Sequence, residues 1–128
     1  MLITRPAARA FFLMTARLLA LLIVAVFLGC LLACFWWRYS EDVSDAAVAK
    51  MRHGMPRWQV ERVLQGWTPE TLATEQSRTE QERKSEYNQW LSKNHPGYSI
   101  VRYTKWADIY VDIHYDGRGR VFQSNCNN

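Results

Sequence analysis

The sequence predicts an α+β protein, with an N-terminal transmembrane helix followed by a small domain of two short helices packed on a three-stranded antiparallel sheet. Three observations carry the prediction. Residues 18–37 hold no charged side chain, residues 40–67 place apolar side chains at helical spacing, and residues 98–123 read as strands. Helices grouped ahead of strands point to helices packed on one face of a sheet.

The apolar run reads LLALLIVAVFLGCLLACFWW. As a helix it covers about 30 Å, the thickness of a bilayer's hydrocarbon core. Arg17 and Arg38 close it, and Trp36, Trp37 and Tyr39 stand where amphipathic rings favour the membrane–water interface. The chain thus divides into a basic N-terminus (1–17), a membrane helix (18–38) and an outer domain (39–128). Arg5, Arg9 and Arg17 precede the helix with no acidic residue among them, whereas Glu41, Asp42 and Asp45 follow Arg38 closely. The positive-inside rule therefore puts the N-terminus in the cytoplasm and residues 39–128 outside.

A secretory signal has a shorter apolar stretch and a small-x-small cleavage site; this run ends in Phe35-Trp36-Trp37-Arg38. The alternative to an uncleaved helix is a lipid anchor. Leu31-Leu32-Ala33-Cys34 has the form of a bacterial lipobox, in which Cys34 would be lipidated and become the first residue; Phe27-Leu28-Gly29-Cys30 is a weaker version.

Beyond the anchor, Ser40 suits a helix N-cap, with Glu41 and Asp42 in the first turn and Val43, Ala47, Val48 and Met51 near one face. Gly54 suits its C′ position. Pro56 opens a second helix at N1, where Val60, Val63, Leu64 and Trp67 form an apolar stripe and Gly66 ends it. Thr68-Pro69-Glu70 has the form of a third helix start. Residues 74–86 then contain no large apolar side chain, so 70–94 reads as a polar insertion, either an exposed helix with pairs such as Glu80–Lys84 or a mobile loop. Tyr87, Trp90 and Leu91 supply one face that can dock, and His95-Pro96-Gly97 stops any helix.

The strands follow. Residues 98–106 are rich in β-branched and aromatic side chains. Ile109, Val111, Ile113 and Tyr115 alternate with Asp108, Asp112 and His114, the pattern of a half-buried antiparallel strand. Asp116-Gly117-Arg118-Gly119 is a tight turn, and residues 120–123 return.

Charge and cysteines narrow the function classes. All 12 acidic residues lie beyond position 37 with 13 of the 16 basic ones, so the outer part carries a net +1. No basic patch of the kind nucleic-acid binders show is present. Cys126 is the single cysteine of the outer part, which must hold by packing without an internal disulfide.

From Gly54-Met55 through Leu64 the sequence resembles the SmpA/OmlA family, whose BamE-like members belong to outer-membrane protein assembly. Gly54, Met55, Gln59, Val60, Val63 and Leu64 stand at the family's spacing, and Tyr115-Asp116 with Gly119-Arg120-Val121 resembles its Phe-Asp…Gly-Arg-Val hairpin. Pro56 replaces the family's Thr, Gly66 comes one residue late and Pro69 two. The resemblance implies structural roles for these residues, a fold of helices on a sheet, and a protein-interaction module in the cell envelope.

The chemistry is sparse. Asp112 and His114 share a strand face, but no Ser or Cys nucleophile accompanies them. His53, His95 and His114 lack metal-ligand spacing, and no phosphate-binding Gly-rich loop appears. The sequence thus predicts no enzyme, cofactor, metal or small-molecule substrate. Five aromatics, Trp58, Trp67, Trp90, Trp106 and Tyr110, are expected mostly in the core. Trp106 and Tyr110 oppose the Ile109, Val111, Ile113 row in parity. With Asp112 and His114 they are predicted to form an exposed aromatic–polar patch, the composition of a protein interface.

The leading expectation is therefore a membrane-tethered module that binds another envelope protein. Its rival is a structural accessory subunit whose specificity lies in the membrane helix, through Ala25, Gly29 and Ala33 at four-residue spacing; a hydrolase comes third. The intact mass of the membrane-extracted protein is expected to equal that of the whole chain, and Cys34→Ser to alter it only by the substituted atom. A shorter, acylated chain beginning at Cys34 would establish the lipid anchor instead.

Overall fold

The computed structural model describes residues 5–106 and 108–126, so the ends of the expected 1–17 and 39–128 segments lie outside the described residues. The chain forms two compact units, Met1–Arg38 and Tyr39–Asn128. The first is helical over its described residues, from Arg5 on. It belongs to α1 (Arg5–Ala49), a helix long and apolar enough to cross a membrane, with every residue of its most apolar stretch exposed. Thr15 satisfies its hydroxyl on the helix's own backbone, at Phe11 O and Phe12 O (3.0 and 2.9 Å).

The helix predicted to start at Ser40 does not start there: α1 runs through it to Ala49. No proline or glycine intervenes between Gly29 and Gly54, and Ser44 Oγ donates to Ser40 O (2.9 Å) as an ordinary mid-helix serine. Consequently Gly54 is not a helix C′ residue. It sits in the following turn at φ +83°, where its N–H donates to Val121 O (2.7 Å).

The second helix, α2 (Arg57–Val63), ends before Gly66 as expected, but Pro56 stands one position earlier than the N1 place its sequence suggested: it is the extended N-cap residue and Arg57 is the first helical one. Val60 and Leu64 are buried, with Val63 and Trp67 half-buried beside them.

The sheet has four strands instead of three, in the order β1 (Thr68–Thr74), β2 (Ser99–Lys105), β3 (Ile109–Tyr115) and β4 (Val121–Cys126), all antiparallel. The extra strand is the segment predicted as a helix start at Thr68-Pro69-Glu70. Thr68, Thr71 and Thr74 are β-branched, and proline is tolerated on an edge strand because one side of that strand has no ladder to fill. A bulge between Thr71 and Ala73 turns Ala73 into the opposite row.

The polar insertion is thereby shortened and ordered. α3 (Glu80–Arg83) is held by a capping box: Glu82 N–H donates to Thr79 Oγ1 (3.3 Å) and Thr79 N–H to Glu82 Oε2 (2.7 Å). The Glu82 carboxyl is held below its usual range by the Thr79 backbone donor first of all. α4 (Glu86–Asn94) is capped by Ser85, which accepts from Asn88 N–H (3.2 Å). Its buried face is Asn88 and Leu91; Tyr87 and Trp90, expected to dock with Leu91, remain about half exposed and stack on each other.

Two cores result. The larger joins the end of α1 (Ala47) and α2 (Val60, Leu64) to the row Val101, Tyr103, Val111, Ile113, Tyr115 and Val121 on one sheet face. The smaller, on the other face, gathers Ala73, Leu91, Tyr98 and Ile100 with Phe122 against it. Tyrosines, not tryptophans, fill these cores. Tyr98, Tyr103 and Tyr115 are fully buried, whereas Trp58, Trp90 and Trp106 are exposed, contrary to the expectation that most of the tryptophans are core.

The 96–97 turn and the β3–β4 turn meet backbone to backbone, and a Cβ at Gly117 would lie 2.6 Å from Pro96 O. Gly117→Ala is therefore expected to cost about 1–3 kcal/mol, seen as a lowered urea midpoint at unchanged slope. An unchanged midpoint would mean that the two turns move apart freely.

Candidate functional site

A four-stranded sheet has two faces, and α4 covers only one end of the second. The uncovered part can be built from the register. Glu70 stands opposite Arg102, Arg102 opposite Asp112, and Asp112 opposite Asn125, giving one row across all four strands. Thr68, Thr104 and Tyr110 form the neighbouring row. Facing residues on antiparallel strands share a sheet face, so both rows point the same way.

Arg102 organises this surface. Its Nε and Nη2 donate to Asp112 Oδ1 and Oδ2 at 2.8 and 3.0 Å, a bidentate pair, and its guanidinium lies 3.8 Å from the centre of the Tyr110 ring. The hydrogen bond to Asp112 is the first reason that the Arg102 guanidinium is held even more firmly protonated than usual. Both side chains of the pair are partly exposed. The result is a planar, charged and aromatic platform whose geometry is fixed before anything touches it.

The four residues predicted to form one patch fall in three places. Tyr110 and Asp112 lie on the platform. Trp106 does not: it follows β2 in a turn at φ +56° and stacks on Tyr39 with ring centres 5.8 Å apart. Strand parity fails there because the turn, not the pleat, aims the side chain. His114 is on the correct face but is buried (5 % exposed), because α4 and Phe122 close over that end of the sheet. Its ring meets Phe122 edge-on at 5.7 Å, and His95 stacks flat on the other side of this cluster, 3.7 Å from Phe122. Arg102 itself was missed, although its place opposite Asp112 follows once residues 99–105 and 109–115 are paired as a hairpin.

Among the described residues no hydrogen bond joins Asp112 to His114, and the two oxygens of Asp112 accept from Arg102. His114 Nδ1 is buried and finds no hydrogen-bond partner among the described residues. Burial, above all, pushes the His114 pKa below the usual histidine range, with Arg78 adding to the effect and Asp112 opposing it. Among the described residues no group of three or more His, Cys, Asp or Glu is gathered where a metal could sit.

On the opposite face, Tyr103 and Tyr115 share a buried hydroxyl–hydroxyl bond of 2.7 Å, with the Arg57 guanidinium 5.6 Å from the Tyr115 ring. Burial raises both phenols, so the pair stays neutral and serves the core. Cys126 Sγ donates to Asp45 Oδ1 (3.2 Å), and burial followed by that bond raises its pKa. Cys34 is exposed on α1.

The segments around Gly54 and Gly119 are hydrogen-bonded to each other. Arg57 N–H donates to Gly119 O (3.0 Å), Val121 N–H to Met55 O (2.9 Å) and Arg120 Nη1 to Gly54 O (2.9 Å). Asp116 Oδ1 accepts from the N–H groups of Arg118 and Arg120 (2.9 and 3.0 Å), and Gly119 N–H returns to Asp116 O (3.0 Å). Met55, Val60 and Leu64 are buried, Val63 is half-buried and Gln59 is exposed.

Comparison with models of known families, with characterised proteins and with solved structures finds no match for this chain.

His114 generates a pH test. A folded-state pKa below the unfolded value of about 6.5 means that the unfolded chain binds the proton more readily, so stability is complete above that value and falls as pH drops through it. The slope is at most about 1.4 kcal/mol per pH unit. Between pH 7.5 and 5.5 the wild-type chain is expected to lose more stability in urea titrations than His114→Gln. Equal losses would show that the ring is protonated as easily folded as unfolded.

Proposed function

We propose that this chain is a membrane-anchored protein-interaction module of the cell envelope, which docks another envelope protein on the uncovered platform of its sheet. In this reading residues 18–38 span the membrane, the N-terminus is cytoplasmic and the outer domain is extracytoplasmic. The helix is long and apolar enough to do so, and the arginines before it, against the acids after it, favour that orientation.

One observation carries the docking role: the Arg102–Asp112 pair stacked on Tyr110 in a sheet face that the domain leaves partly uncovered. Tyrosine and arginine are enriched in interface cores, and side chains already fixed by bonding and stacking lose little entropy on binding. Asp112 offsets the arginine charge, so the surface suits a partner with its own polar and aromatic groups better than a strongly charged polymer. The bonding of the two blocks that resemble the SmpA/OmlA family into one unit supports a BamE-like part in envelope assembly.

A photo-crosslinking amino acid placed at Tyr110 of the full chain in cells is expected to yield a protein adduct that the same group at Arg118 does not. The adduct is also expected to survive replacement of residues 18–38 by an unrelated apolar helix. Its loss on that replacement would transfer the specificity to the helix and its Ala25, Gly29 and Ala33. No adduct at Tyr110 under either condition would remove the platform as a docking site.

A further inference from the structure

Trp106 is the one non-glycine residue with positive φ among those described (+56°), a conformation that is strained for an L-residue and rare for a bulky side chain. The gain that would offset this is not burial, because the indole is 53 % exposed. What the conformation achieves is placement. The ring is stacked at 27° on Tyr39, itself 40 % exposed, and the Lys105 ammonium stands 5.1 Å from the indole centre.

Tyr39 is the second residue beyond the uncharged run that ends at Trp37. At 1.5 Å rise per residue, it lies about 3 Å past the end of that run. If residues 18–37 cross the bilayer, as proposed above and as this inference requires, Tyr39 is held in the headgroup layer by the covalent chain alone. An indole 5.8 Å from it occupies the same layer.

We infer that Trp106, with Tyr39 and Lys105, is a second membrane contact: the turn after β2 inserts its indole among the headgroups and glycerol groups of the bilayer. An exposed tryptophan gains in that layer what it would lose in water, because the apolar ring is partly desolvated while the indole N–H still finds oxygen acceptors. Lys105 suits the same place, with its aliphatic stem against the rings and its ammonium at phosphate level. Glu41, Asp42, Asp45 and Asp108 lie close by in sequence. Their charge opposes attraction to anionic lipid, so the contact is aromatic and insensitive to salt.

The test uses the full chain with 5-fluorotryptophan at all six tryptophans, in phosphatidylcholine nanodiscs containing a lipid with a gadolinium chelate on its headgroup. Resonances are assigned by single Trp→Phe variants. Fluorine signals from Trp36, Trp37 and Trp106 are expected to broaden several-fold more than those of the exposed Trp58 and Trp90, at low and high salt alike. Broadened Trp36 and Trp37 beside a Trp106 as sharp as Trp58 would overturn the inference while leaving the membrane helix standing. Sharp signals from Trp36 and Trp37 as well would overturn the membrane reading and this inference with it.

Discussion

The outer domain depends on a short seam in which residues 54–57 run beside residues 119–121. Backbone bonds from Gly54 to Val121, Val121 to Met55 and Arg57 to Gly119 fasten the helical layer to the sheet at the very turn that joins its last two strands. With no disulfide in the domain, this seam and the core beneath it must hold the layers in register. The seam lets Met55 enter the core beside Val60 and Leu64, and it sets the height at which α2 meets the sheet. Asp116 fixes the turn from the other side by accepting two backbone donors on one oxygen. Backbone hydrogen bonds of this kind each add only about 1 kcal/mol net, but leaving a buried one unmade costs more, so the arrangement resists alternatives more than it adds stability.

Much of this was legible from the residues. The alternation through Ile109, Val111, Ile113 and Tyr115 predicts their burial, and all four are buried. The stripe at Val60 and Leu64 likewise names the face of α2 that packs, and Pro56 and Gly66 mark its ends. The failures have a common physical source. Thr68-Pro69-Glu70 satisfies the local chemistry of a helix start, yet long-range pairing with Thr104, Tyr103 and Arg102 makes it a strand. Local propensity is a small preference, and six ladder partners outweigh it. The same reasoning explains Ser40, whose capping chemistry is unused because nothing in the flanking sequence breaks the helix that enters it.

The platform was legible by half. Tyr110 and Asp112 follow from the pleat, since a strand must send alternate residues to opposite faces. Burial of His114 could not follow from β3 alone, because the cover comes from α4, whose polar sequence gives little sign of docking beyond Leu91. Nor does pattern reveal which aromatics are interior. Three tyrosines occupy the core because strand parity puts Tyr103 and Tyr115 on the packed face and Tyr98 beneath α4, and the first two satisfy their hydroxyls on each other. Three tryptophans remain at the surface because helix faces and a turn carry them there.

The edge strand β1 has a consequence for how the domain meets its neighbours. Proteins tethered to one membrane encounter each other edge to edge, at effective concentrations well above those of free solution, and an open strand edge is the usual seed of unwanted sheet extension. Here β1, one of the sheet's two outermost strands, is interrupted by Pro69, kinked by the bulge before Ala73 and charged at Glu70. Such an edge is a poor template for another strand. On the proposed reading, β1 thus disfavours backbone pairing and leaves side-chain fit on the sheet face as the mode of recognition.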